Sequence, residues 1–101
     1  MIRKGRFKVS VEKVAVVMVM VCILDDKLGE FLPPMGMRTR GEALRSFQNM
    51  VNDQNNGNLY SHPEDFSLWE VGTFDCNSGS FQPPPGGLPV MIERASDLRK
   101  Q

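Results

Sequence analysis

One histidine and two cysteines are the only imidazole and thiol ligands among the 101 residues, and a closed zinc site needs four ligands. A zinc site built from these residues is therefore excluded. No glycine-rich phosphate loop is present, which removes the usual nucleotide cradle. The longest apolar run, Val14 to Leu24, is eleven residues, short of the roughly 20 that cross a bilayer, so no membrane partner is expected. No internal repeat stands out, and nothing in the composition asks for a cofactor.

A chain of this length is most simply one domain, too small to enclose a deep catalytic cleft. Its 41% hydrophobic and 24% charged residues are those of an ordinary soluble globular protein. The net charge is zero but unevenly distributed. From Met1 to Val17 five basic residues (Arg3, Lys4, Arg6, Lys8, Lys13) meet one acid, Glu12, giving +4; Met18 to Phe81 carries four basic and nine acidic residues, giving −5; the remainder adds +1. A basic arm thus precedes an acidic body. Such an arm can release counterions from phosphate backbones, or it can be the solvated extension common at termini.

The apolar run after this arm has the outline of a signal sequence. It ends in Asp25-Asp26 without a small-residue cleavage pattern, and its valines and isoleucine favour a buried strand. Cys22 lies in that run and reads as a small core residue. Cys76 lies in a polar turn and reads as a free thiol. Asp25, Asp26 and Gly29 then mark a turn, followed by a short extended piece ending at Pro33-Pro34.

The clearest helix begins at Thr39. Thr39 and Glu42 form a capping-box pattern, and Ala43, Leu44, Phe47, Met50 and Val51 make one apolar stripe at helical period. Asparagines and Gly57 should end it. Two strand-like stretches, Ser67 to Phe74 and Ser80 to Gln82, flank a hairpin turn with Gly79 at the positive-φ position. Pro83 to Pro89 reads as a linker, and the last residues as a marginal helix with Met91, Ala95 and Leu98 on one side. The expected fold is α+β: a small, mostly antiparallel sheet with one amphipathic helix packed on it, in the order β-β-α-β-β, with an irregular tail. Residues 1–13 form the basic extension, 14–82 the α+β domain, and 83–101 the proline- and glycine-rich linker and tail.

Ser61 to Asp75 concentrates the histidine, the tryptophan and four carboxylates. A catalytic reading would make His62 a base oriented by Glu64 or Asp65. Ser61 is adjacent to it, and neighbouring residues in an extended chain point opposite ways. The letters fit a capped turn better, with Ser61 as cap, Pro63 in first position, and Glu64 and Asp65 at the positive end. In the following strand Trp69, Val71 and Thr73 should share one face, and Leu68, Glu70, Gly72 and Phe74 the other. Aromatic residues on a sheet either fill a core or stack the bases of single-stranded nucleic acid. Arg38, Arg40 and Arg45 gather at the helix start and, with Arg3, Lys4, Arg6 and Lys8, are the candidate nucleic-acid contacts.

These motifs in this order resemble a known family. An apolar strand running into Ile23-Leu24-Asp25-Asp26 precedes a helix ending in Phe47 to Asp53. His62 to Asp75 follows, closed by a turn ending in Gly79. The combination is similar to the small nonstructural protein of gokushovirus-type Microviridae, tailless bacteriophages with single-stranded DNA. The resemblance spans about Met18 to Pro89. Its most specific part is Val51-Asn52-Asp53, His62-Pro63-Glu64-Asp65, Leu68, Gly72-Thr73-Phe74-Asp75 and Gly79. It implies an early, non-capsid protein of the host cytoplasm that acts in single-stranded DNA synthesis or the switch to it from duplex replication. Single-stranded DNA and phage or host replication proteins are the implied partners. The family brings no catalytic residue set, so a non-enzyme is expected. The basic arm departs from the family pattern, in which the first strand comes almost at once; translation from Met18 or Met20 would restore it. A homo-oligomeric interaction module, paired through an exposed sheet edge, is the alternative.

Overall fold

The computed structural model describes residues 16–100. The first strand, β1 (Val17–Asp25), alternates as its sequence requires. Val19, Val21 and Ile23 turn to one face, where Val21 and Ile23 are buried, and Met18, Met20, Cys22 and Leu24 turn to the other. From Val17 onward the apolar run is thus a strand, and no helix among the described residues is long and apolar enough to cross a membrane.

β1 pairs antiparallel with β4 (Phe66–Asp75) from Val17↔Asp75 to Asp25↔Phe66. The outer edge of β1 is covered by two short strands in tandem, β2 (Glu30–Phe31) and β3 (Met35–Met37). The outer edge of β4 is covered in the same way by β5 (Ser80–Gln82) and β6 (Val90–Arg94). The α+β class and the antiparallel sheet are as the sequence implies. The tail differs from expectation: it contributes β6 and then α3 (Ala95–Leu98), whose Ala95 is fully buried in the core. Its ordering rests on pairing with β4, which no local sequence signal announces.

The two halves of the sheet repeat one device. The pattern D-x-x-x-G-x-F-x-P-P occurs at residues 25–34 and again at 75–84, fifty positions later, so the chain carries an internal repeat after all. In the first copy Asp25 Oδ1 accepts from the Lys27 and Leu28 amides at 3.0 and 3.3 Å, and the Gly29 amide donates to the Asp25 carbonyl at 2.8 Å. In the second, Asp75 Oδ1 accepts from Asn77 and Ser78 at 2.8 and 3.3 Å, and Gly79 donates to the Asp75 carbonyl at 2.7 Å. Gly29 and Gly79 have φ of +69° and +77°, a conformation that costs other residues about 1–2 kcal/mol. Prolines end both short strands because they cannot donate to a ladder, and the chain steps on to β3 or β6.

One face of this sheet is covered by α1 (Arg40–Val51). The Thr39 hydroxyl accepts from the Glu42 amide at 3.0 Å, while the Glu42 carboxylate reaches past the cap to the Arg38 amide at 2.7 Å. The capping box is present, displaced by one residue on its return arm. Ala43, Phe47 and Val51 pack with Val21, Ile23, Phe66, Leu68, Leu59 of α2 (Gly57–Ser61), and Ala95. Ser61 closes α2 and does not cap the next turn; His62 holds that cap position without a side-chain hydrogen bond, and Pro63 opens the 3-10 turn Pro63–Asp65.

The expected faces of β4 are reversed beyond Glu70. Val21 pairs with Glu70 but Met20 pairs with Gly72, so Val71 is an extra residue in a bulge. Trp69 therefore shares its face with Gly72 and Phe74, opposite the helix, while Thr73 joins Leu68 and Glu70 on the helix side. Gly72 has φ of +148°, and a Cβ there would stand 2.3 Å from the Gln82 carbonyl oxygen. No such obstacle surrounds Gly29. Replacing Gly72 by alanine should lower stability by about 3 kcal/mol, against about 1–2 kcal/mol for Gly29→Ala, read as displacement of the urea midpoint.

Candidate functional site

Three surfaces carry the chemistry of the chain. At the end of β1, the ligand atoms of His62, Glu64 and Asp65 lie within 4.8 Å of one another. His62 Nδ1 is 3.6 Å from Glu64 Oε2, and both side chains are more than half exposed. With Asp25, Lys27, Asn58 and Phe66 they border an open hollow of about 570 Å³. The Asp26 amide donates to the Asp65 carbonyl at 2.9 Å, which fixes the turn to the start of the sheet. Asp25, Asp26, Glu30, Glu64 and Asp65 gather at this end, with Lys27 beside them and Arg99 packed on the adjoining α2.

The opposite end mixes charges: Asp75 pairs with Val17 there. Arg38, just after β3, borders a hollow of about 340 Å³ with Val16, Val17 and Met18, where the amino-terminal arm joins β1. Arg45 borders a separate hollow of about 450 Å³ at the start of α1 with Thr39, Gly41 and Glu42. Arg40 is engaged: its Nη2 and Nε stand 2.6 and 3.1 Å from Glu70 Oε1. Arg38 and Arg45 thus border different hollows, and Arg40 is held by the sheet. Arg3, Lys4, Arg6 and Lys8 lie outside the described residues.

The third surface is the sheet face away from α1. Its central strands present Met18, Met20, Cys22 and Leu24 from β1, and Ser67, Trp69, Gly72 and Phe74 from β4, none of them charged. Phe31, opposite Leu24, meets Trp69 edge-on at 5.9 Å; Phe81, opposite Phe74, packs on it at 4.8 Å. The Trp69 indole N–H donates to the buried Ser67 hydroxyl at 2.7 Å, which satisfies both groups. Burial pushes the Cys22 thiol above its ordinary pKa, whereas Cys76 is exposed; both are free.

The residues most distinctive in the sequence hold the fold. Asn52 ties the end of α1 to the tail: its Nδ2 donates to the Gln48 and Leu98 carbonyls at 2.8 and 3.0 Å, and its Oδ1 accepts from the Lys100 amide at 2.7 Å. Asp53 Oδ1 accepts from the Asn55 amide at 2.9 Å. Arg99 lies over the Tyr60 ring at 3.6 Å and donates to the Tyr60 carbonyl, pinning the tail to α2.

A family model described as phage ORF5 protein matches residues 18–98. The chain belongs to the phage ORF5 protein family. This bears out the resemblance to the small nonstructural protein of Microviridae-type single-stranded DNA phages. Protein ORF5 of Chlamydia phage 1 is 37% identical over 51 residues, covering 50% of this chain and 53% of that protein. The chain therefore spans about half the length of this relative in the matched region. No solved structure matches. The letters that carry the resemblance, Asn52, Gly72, Asp75 and Gly79 among them, coincide with a tail clamp, a bulge and a turn.

Replacing Asn52 by alanine leaves the Lys100 amide and two carbonyls without this partner; a loss of about 1–3 kcal/mol is expected, with faster amide exchange in residues 95–100. His62→Gln, by contrast, should stay within about 0.5 kcal/mol of the parent, since it alters only an exposed, screened pair. Equal losses in the two thermal melts would contradict this assignment. Thiol titration of the native protein should modify Cys76 quickly and Cys22 only on unfolding, because the buried thiol resists forming its anion.

Proposed function

We propose that this protein is an accessory factor of viral single-stranded DNA synthesis that works by binding in the host cytoplasm, with no catalytic step and no cofactor. Its basic residues contact single-stranded DNA, and phage or host replication proteins are companion partners. The supporting observation is the place of Arg38, which borders Val16, Val17 and Met18 where the basic arm enters β1. Arg3, Lys4, Arg6 and Lys8 precede that point in the sequence, and Arg45 follows it in α1 beside Glu42. An anionic strand is drawn to such a cluster of basic residues. Each neutralised phosphate releases counterions, which makes binding steeply salt-dependent. Arg40 contributes less to this surface because Glu70 already occupies its guanidinium.

Gel-shift titrations of the full chain with an unstructured oligonucleotide should show affinity falling as salt rises. Replacing Arg3, Lys4, Arg6 and Lys8 together by glutamine should reduce the slope of log K against log salt by about 3, at about 0.7 for each phosphate no longer neutralised. Arg38→Gln should reduce it further and Arg40→Gln only slightly. A full chain that gives no shift at low salt would remove direct DNA contact, leaving the replication proteins as partners.

A further inference from the structure

Building on the proposed contact with single-stranded DNA, we infer that the bases of that strand stack on Phe31 and Phe81 of the helix-free sheet face, with Arg94 and Arg38 holding its phosphates. The middle of this face is closed. The Met18 and Met20 side chains fill the space over Gly36, the Gln82 carbonyl stands over Gly72, and Cys22 and Ser67 are buried. Phe31 and Phe81 remain 44% and 65% exposed at opposite corners. Two rows of the ladder place them. One row reads Phe31, Leu24, Ser67, Arg94 across four strands. The other reads Met18, Phe74, Phe81, with Arg38 bordering Met18, and so runs in the reverse sense. Each row has a ring at one end and a guanidinium at the other, about 14 Å apart at about 4.8 Å per strand.

Charge decides the occupant. Every carboxylate carried by a described strand, Asp25, Glu30, Glu70, Asp75 and Glu93, lies in register with the helix side. The helix-free side carries Arg94 and no acid, and neither Arg94 nor Arg38 is in an ion pair among the described residues. A second copy of the chain would bring another guanidinium against this charge, whereas a polyanion neutralises it and releases counterions. Exposed rings beside free cations are the two parts of a single-strand platform, one meeting the base faces and the other the backbone. A duplex keeps its bases stacked within itself and has none to offer. The internal repeat supplies the device twice: Phe31 and Phe81 hold the same place after each turn, and Arg38 and Arg94 each stand where the second short strand gives way to a helix. The two rings are roughly 25 Å apart on the sheet lattice, within reach of the about 4–16 nucleotides that a small sheet-borne site takes.

Trp69, the single tryptophan, is 5.9 Å from Phe31, so its emission reports the face. Oligothymidylate added to the full chain at low salt should quench it saturably. An abasic oligomer of equal length and charge should bind at least about fivefold more weakly and leave the emission unchanged. Phe81→Ala, with an unaltered circular dichroism spectrum, should weaken oligothymidylate at least about fivefold and leave abasic binding as it is. Should that variant fail to fold, the abasic comparison needs only the parent chain. Arg94→Gln should lower the salt slope by about 0.7, the share of one phosphate on a single strand; His62→Gln should alter neither slope nor quench. An abasic oligomer bound as tightly as oligothymidylate, with Trp69 unmoved, overturns the stacking and leaves phosphate contact by the arm standing. A chain that binds neither oligomer overturns both. A mass that doubles with concentration and returns to 11.4 kDa in Phe81→Ala overturns the stacking too, assigning the face to a second copy.

Discussion

The antiparallel ladder between β1 and β4 is the constraint on which everything else in the molecule depends. It runs from Val17↔Asp75 to Asp25↔Phe66, and every other strand pairs with one of these two. Because side chains alternate across a strand, pairing in this register commits Val21, Ile23 and Leu68 to one side and Cys22 and Trp69 to the other. The bulge at Val71 keeps that commitment intact along the whole length. It shifts β4 by one residue, so that Thr73 rather than Gly72 lies beside Val19 on the helix side. Without it, the apolar residues of the two strands would lose their common face halfway along.

The ladder also sets two ends of the molecule apart. β1 carries the chain from the root of the basic arm to the turn at Asp25, and α1 brings it back along the covered face. Arg38 therefore lies at one end while His62, Glu64 and Asp65 lie at the other. The residues that look most like an active site in the sequence sit on the acidic side, in a turn whose hydrogen bonds are those of chain reversal. Arg38 beside the start of β1 and the aromatics of the helix-free sheet face are less conspicuous in the sequence.

What the sequence discloses follows from how local each cause is. The helix from Arg40 is legible because Thr39, Glu42 and its stripe lie within one stretch, and the Gly79 turn because its bonds close over five residues. The β1 strand is legible from its valines. Met35-Gly36-Met37 gives no strand signal, since a three-residue strand with glycine in its centre gains its order from β1 alone. The same holds for Val90–Arg94, which prolines and glycines separate from the strand it joins. The side occupied by Trp69 was hidden by the bulge, a register effect fixed by residues some fifty positions away. Of the candidate contacts, the places of Arg38 before the helix and Arg45 within it could be read from the sequence. The capture of Arg40 by Glu70 could not, because it spans thirty positions.

The repeated D-x-x-x-G-x-F-x-P-P pattern has a geometric consequence. Each copy follows a long strand, leads through a short outer strand to a second one, and ends in a helix: α1 after β3, α3 after β6. Two antiparallel strands are exchanged by rotation about an axis perpendicular to the sheet, and such a rotation never carries one side of a sheet to the other. Both helices must therefore descend on the same side, where Ala95 indeed meets the core built on Phe47 and Val51. The symmetry that let one turn serve twice leaves the second side without a helix of its own, however the lengths of the two helices change. A sheet face without a helix is built into the topology and is not an accident of side-chain choice.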